Sequence, residues 1–116
     1  VPDMAGIWLT RQLMRADQAR ELIYTGRVVG ADEAVALGLA TRVCTDPLAE
    51  ALLRAREIAA FSPRAMQSAK RLLNLAASAG CAEVLLAEAS EQDVLLGSPE
   101  QMETVYAHRE RRSPRF

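Results

Sequence analysis

Proline and glycine divide this sequence into short segments, and this division restricts the possible folds more than any other feature. Asp46-Pro47 and Ser62-Pro63 each place a capping side chain before a proline at the first position of a helix. Ser98-Pro99, followed by Gln101, has the pattern of a capping box. Glycines end several of the segments, as they commonly end helices. The sequence therefore predicts a mainly α-helical chain with short connections.

Seven helices and at most one or two short strands are predicted. Leu39 to Cys44 alternates loosely with Thr and Arg and is the best strand candidate. Val28-Val29 is a brief extended stretch. The predicted helices run from Met4, capped by Asp3, to Met14, from Asp17 to Tyr24, from Ala31 to Leu37, from Pro47, from Pro63 to near Gly80, from Ala82 to Leu96, and from Pro99.

Apolar residues recur at helical spacing in these segments. Leu48, Leu52, Ala55 and Ala59 form one such stripe, and similar stripes follow it. We expect the larger residues of these stripes to be buried, namely Leu52, Ile58, Leu72, Leu73 and Leu86. Several stripes have no obvious partner within 116 residues, so we also expect the chain to self-associate.

Composition argues against several classes of protein. A net charge of -1 is unlike that of a general nucleic-acid binder, which needs a strongly basic face. The sequence contains no apolar run of about 20 residues, the length of a membrane span. Cys44 and Cys81 are far apart and match no metal spacing, so reduced thiols, a cytoplasmic location and no metal centre are expected.

Four motifs, in one order along the chain, resemble the crotonase (enoyl-CoA hydratase/isomerase) family. Glu21–Val29, followed by Ala31–Ala34 and Gly38–Ala40, is similar to the family's "L-x-L-T-G" helix end and the stretch after it. The Asp-Pro and Ser-Pro pairs and Ala69–Asn74 continue the family's order. Glu103 to Phe116 looks like its closing "E-G-V-x-A-F-x-E-K-R-x-P-x-F" segment.

The resemblance implies a fold, an activity and an assembly. The chain corresponds to the C-terminal helical part of a crotonase-like ββα spiral fold, and its abrupt start suggests part of a longer protein. Residues 1–45 would supply the active-site helix and a small α/β segment, and residues 46–116 would be helices for oligomerisation. The family converts acyl-CoA thioesters through an enolate as trimers or hexamers, with no separate cofactor. Its N-terminal spiral carries the two N–H groups of the oxyanion hole.

The resemblance points to Asp3 as the catalytic residue. Val1–Gly6 looks like the family's turn into the active-site helix, where many hydratases have "I-P-G-x-G-G". Asp at the third position is found in several isomerases, and "P-D-x-G-G-T-W" in the ring 1,2-epoxyphenylacetyl-CoA isomerase group is closest to this sequence. Such a carboxylate would take a proton from one acyl carbon and return it to another. The alternative is that Asp3 only caps the first helix.

Basic residues near the C-terminus are candidates for binding the phosphates of CoA. The resemblance implies this role for Lys70, Arg71, Arg109 and Arg112; the alternative is a solvated helix face. His108 and Thr104 stand where the family usually has Phe and Gly, which bears on substrate preference. A rival interpretation of the whole chain is a non-catalytic helical module that serves oligomerisation.

Overall fold

The computed structural model describes residues 2–116, in which seven α-helices are joined by short connections. All seven predicted helices are present, with boundaries a few residues from those predicted. The helices are α1 (Gly6–Leu13), α2 (Ala16–Thr25), α3 (Ala31–Ala36), α4 (Pro47–Ala59), α5 (Pro63–Ala76), α6 (Cys81–Leu95) and α7 (Pro99–Arg109).

The helix-start signals act as predicted at the three prolines. Asp46 Oδ1 accepts the backbone N–H of Ala49 at 3.0 Å at the start of α4. Ser62 Oγ accepts from Ala65 at 3.1 Å, and Ser98 Oγ accepts from the Gln101 N–H at 3.2 Å. Each side chain satisfies one of the N–H groups that a helix leaves without a partner in its first turn. The side chain of Asp3 makes no such bond at α1, so its predicted capping role is wrong.

The predicted strand at Leu39 to Cys44 is wrong, because residues 2–116 contain no β-strand. A strand exists only when its backbone N–H and C=O groups pair with another strand. Only one good strand candidate was present in the sequence, and Val28-Val29 is likewise unpaired. Both stretches are irregular connections between helices.

The chain divides into two compact units, the first ending at Glu50 and the second being Ala51–Phe116. In the first unit α1 packs against α2, and Ala19 and Leu37 are buried. The Arg27 guanidinium joins α2 to α3, since it lies 3.1 Å from Glu21 Oε1 and 2.6 Å from Glu33 Oε1.

The second unit is built on the packing of α5 against α6. Leu72, Leu75 and Val84 are half-buried in this unit, and Ser68 is buried. The small side chain of Ala107 on α7 is also buried. Among residues 2–116, no large side chain is fully buried.

The predicted burial of the apolar stripes is wrong for four of five residues. Leu52 and Ile58 on α4 are about half exposed, Leu73 and Leu86 are more than 70% exposed, and Leu72 is half-buried. Periodicity shows which residues share a face of a helix, but only a partner surface buries that face. In this structure many of the faces have no such partner.

Three further properties of the described residues bear on function. None of the helices is both long and apolar enough to cross a membrane. Cys44 and Cys81 are both free thiols. Within residues 2–116, no three metal-ligating side chains come together.

Candidate functional site

Asp3 lies in an exposed turn that leads into α1. Its backbone carbonyl accepts the N–H of Gly6 at 2.8 Å. Its carboxylate makes no hydrogen bond or ion pair with any other residue of the 2–116 range. Val1, the first residue of the motif, lies outside the described residues. The carboxylate is therefore accessible to solvent and to a ligand.

The helix that follows Asp3 presents apolar surface next to this turn. Ile7, Trp8 and Leu9 are each about half exposed. The Arg11 guanidinium carbon lies 6.0 Å from the centroid of the Trp8 ring, a cation–π contact. These apolar side chains lie within two helical turns of Asp3.

Arg71, a candidate for CoA phosphate binding, is engaged by a carboxylate of the same unit. Its Nε and NH2 atoms each lie 2.7 Å from an oxygen of Glu91. Ser68 Oγ also donates to Glu91, at 2.6 Å. The hydrogen bonds from Arg71, and then that from Ser68, lower the pKa of Glu91 to about 2. The Glu91 carboxylate therefore occupies two of the three nitrogens of the Arg71 guanidinium.

Arg112, a second candidate, is held in the same way. Its guanidinium donates to both oxygens of Glu103, at 2.6 and 3.1 Å, and to Glu110 at 2.6 Å. The backbone N–H of Arg115 adds a bond of 2.8 Å to Glu103. These bonds, that from Arg112 first, lower the pKa of Glu103 to about 2. Arg112 therefore ties the C-terminal tail to α7.

Lys70 and Arg109, the other two candidates, have no ionic partner among residues 2–116. Both side chains are exposed, Lys70 on α5 and Arg109 at the end of α7. Free cations of this kind can take a phosphate without giving up an existing ion pair. The structure thus separates the four predicted cations into two that are free and two that are paired.

His108 lines an apolar groove that the sequence did not predict. The groove has a volume of about 400 Å³ and lies between α5, α7 and the C-terminal tail. Phe61, Met66 and Phe116 supply much of its apolar lining. Phe61 and Met66 lie five residues apart at the start of α5, but Phe116 comes from the C-terminal tail, so no single periodic pattern links all three. The only signal in the sequence was the His at a position where the family usually has Phe.

Acid should weaken the second unit through Glu91. Because its pKa is lower in the folded chain than its ordinary value of 4.5, it stabilises the fold above pH 4.5. That stabilisation is lost as the pH falls from 4.5 towards about 2. We expect Glu91→Gln to lower stability at neutral pH and to flatten its decline in this window, as measured by urea unfolding at a series of pH values.

Glu88→Gln is the matched control, since Glu88 lies on the same helix and its side chain makes no hydrogen bond with residues 2–116. It should keep the parental dependence on pH. If Glu91→Gln and Glu88→Gln gave the same curve as the parent, the Glu91 cluster would not contribute to stability.

Comparisons with known proteins agree along the whole chain. The family model described as enoyl-CoA hydratase/isomerase matches residues 1–116. A probable enoyl-CoA hydratase, echA8, from Mycobacterium tuberculosis (strain CDC 1551 / Oshkosh) is 36% identical over 119 residues, which cover 100% of this chain and 46% of that protein. The enoyl-CoA isomerase/hydratase fer4 from Mycosarcoma maydis is 28% identical over 118 residues and is covered to 43%.

The solved structures include a close match in fold. The crystal structure of an enoyl-CoA hydratase from Polaromonas sp. JS666 superposes with a TM-score of 0.88 at 30% sequence identity. The match covers 98% of this chain and 45% of that chain. The chain thus spans a little under half the length of the relatives that it matches.

Proposed function

The chain belongs to the enoyl-CoA hydratase/isomerase (crotonase) family, and on that premise we propose that the protein shifts or hydrates the double bond of an enoyl-CoA thioester through an enolate. The proposal concerns the product of the full reading frame that contains these residues, because the relatives are about twice as long. Its substrate is an acyl-CoA, and the thioester itself supplies the CoA.

Asp3 carries the proposed chemistry. A carboxylate can take a proton from the carbon next to the thioester and return it to a carbon further along the chain, which moves the double bond. This needs a carboxylate that is free and reachable, and Asp3 is both, since no described residue binds its side chain. The free carboxylate at the start of α1 is the observation on which the proposal rests.

The enolate formed in this reaction places negative charge on the thioester oxygen. Backbone N–H groups aimed at that oxygen stabilise the charge. The family resemblance assigns the two donors to the N-terminal spiral. Asp3 and the oxyanion hole would therefore come from different halves of the full-length enzyme.

The phosphates of CoA would be bound by cations of the second unit. Lys70 and Arg109 support this role best, because they are exposed and without a carboxylate partner among residues 2–116. Arg71 and Arg112 already bind Glu91 and Glu103, and these carboxylates would compete with a phosphate for them. The first pair is accordingly the primary phosphate contact in the proposal, and the second pair stabilises the helices that present it.

The experiment that tests the function is product analysis by NMR. The full-length protein is incubated with a 3-enoyl-CoA and, separately, with its 2-enoyl isomer. Interconversion of the two isomers is the expected result, because Asp3 favours double-bond migration. Formation of 3-hydroxyacyl-CoA alone would make the protein a hydratase, and no conversion of either compound would leave the non-catalytic module as the better interpretation.

We also propose that copies of the chain associate through exposed helix faces. On α6 the half-buried Val84 and Leu95 are accompanied by the exposed Leu85, Leu86 and Val94, so this helix is apolar on more than one face. Exposed apolar surface of this extent typically marks an interface. Sedimentation velocity should show oligomers; a monomer at high concentration would contradict the proposal, while oligomers without activity would favour the non-catalytic module.

A further inference from the structure

The turn after Asp3 has an unusual backbone conformation. Met4 has φ 50° and Ala5 has φ 64° with ψ 15°, so two consecutive residues other than glycine are left-handed. This conformation is unfavourable for L-residues that have a Cβ atom, and it rarely occurs twice in succession. Strained backbone of this kind is concentrated at functional sites, where the surrounding structure maintains it.

Asp46 lies directly before α4 and caps that helix with its side chain. At α4, the N–H three residues further on, that of Ala49, donates to the Asp46 carboxylate at 3.0 Å. At α1 the residue directly before the helix is Ala5, so Asp3 stands two residues further from its helix than Asp46 does. The N–H three residues after Asp3 is that of Gly6, and it donates to the Asp3 backbone carbonyl at 2.8 Å. An N–H three residues after the aspartate is therefore accepted by the side chain at Asp46 and by the backbone carbonyl at Asp3.

The left-handed pair Met4-Ala5 occupies the two positions between Asp3 and α1. It turns the backbone so that the Asp3 carbonyl, and not the carboxylate, faces the Gly6 N–H. The approach of the chain is close at this point, because a Cβ atom on Gly6 would lie 3.1 Å from Cβ of Pro2. The side chain of Asp3 is left without a bond to the first turn of α1.

We propose that the left-handed pair Met4-Ala5 is a positioning device that keeps the Asp3 carboxylate out of the α1 cap and free to move a proton. Met4 and Ala5 are positioning residues in this inference, since they act through Asp3 and do not touch the substrate. The inference rests on the proposed function of Asp3 as the base.

The test compares three substitutions of Ala5 in the full-length protein. Gly and Asn tolerate the left-handed conformation, whereas the β-branched Val disfavours it. We expect Ala5→Val to lower kcat for double-bond migration by about tenfold, with little change in KM. A tenfold loss corresponds to about 1.4 kcal/mol of activation free energy, here caused by poorer orientation of the Asp3 carboxylate. Ala5→Asn, although larger and polar, should retain kcat, as should Ala5→Gly.

Met4→Val provides an independent variant that removes little packing, because the Met4 side chain is 92% exposed. It should lower kcat in the same way and leave the helix content unchanged by circular dichroism. If Ala5→Val failed to fold, this variant would decide the question. Parental kcat in Met4→Val, or a loss in Ala5→Asn equal to that in Ala5→Val, would overturn the proposal.

A double-mutant cycle separates this proposal from the assignment of Asp3. In an Asp3→Asn background the turn has no base left to position, so adding Ala5→Val should cause no further loss of kcat. A full tenfold loss in that background would mean that the turn acts on the fold and would overturn the proposal. If Asp3→Asn alone kept the parental rate, the proposed role of Asp3 as the base would fail. If Asp3→Asn abolished the reaction while Ala5→Val did not lower kcat, only the role of the turn would fail.

Discussion

Asp3→Asn in the full-length protein should lower the rate of double-bond migration by about 10²–10⁴-fold, the usual contribution of a general base. The amide has the shape of the carboxylate but cannot take up the proton. The substitution should leave the fold intact, because the Asp3 side chain makes no bond with residues 2–116 and the turn is held by its carbonyl. The rate is measured by following a 3-enoyl-CoA as it forms its 2-enoyl isomer.

Asp46→Asn is the matched control for this experiment. It removes a carboxylate that also stands at a helix start, and Asn caps a helix about as well as Asp does. We expect this variant to retain the parental rate and stability. An Asp3→Asn variant that isomerises as fast as the parent would remove the base from the mechanism, and the isomerase assignment would lose its central residue.

The helices could be predicted from the sequence because their boundaries depend on local chemistry. Pro47, Pro63 and Pro99 begin helices at which the preceding Asp or Ser accepts a backbone N–H, as expected. Gly26 ends α2 in the left-handed conformation that glycine favours. In each case the relevant bond joins residues only a few positions apart, so the signal and the structure lie in the same short segment.

Burial and pairing could not be predicted in this way. Leu73 and Leu86 belong to regular stripes, yet both are exposed, because a stripe does not specify what packs against it. Leu39 to Cys44 had a strand-like pattern, but a strand depends on a partner elsewhere in the fold. The pairing of Arg71 with Glu91 joins positions 20 residues apart on two helices, which no local motif encodes.

The candidate site was predicted only in part, for a related reason. The resemblance pointed to Asp3 as the candidate base, which stays a prediction, and the physical expectation that its side chain caps α1 was wrong. The cause is the left-handed conformation of Met4 and Ala5, two residue types that give no sign of it in a sequence. Among the predicted phosphate-binding residues, Arg71 and Arg112 proved to have carboxylate partners, whereas Lys70 and Arg109 have none among residues 2–116.

The 116-residue chain by itself is expected to convert enoyl-CoA thioesters no faster than the uncatalysed reaction. It contains Asp3, but the family resemblance places both oxyanion donors in the N-terminal spiral, and the matched enoyl-CoA hydratase structure is covered to only 45%. Removal of a single donor typically costs about 10²–10³ in rate. Without these two donors, the enolate that forms when Asp3 removes a proton from the substrate would not be stabilised.

This expectation is tested by assaying the isolated chain and the full-length protein at equal molar concentration, after circular dichroism has shown that the chain is helical. The isolated Asp3→Asn chain is the control for contaminating activity, because the activity of a contaminating enzyme would not change with that substitution. Turnover by the isolated chain that disappears in Asp3→Asn would contradict the prediction. The donors would then have to come from these helices, and the first turn of α1, where no side chain caps the N–H groups, would be the place to look for them.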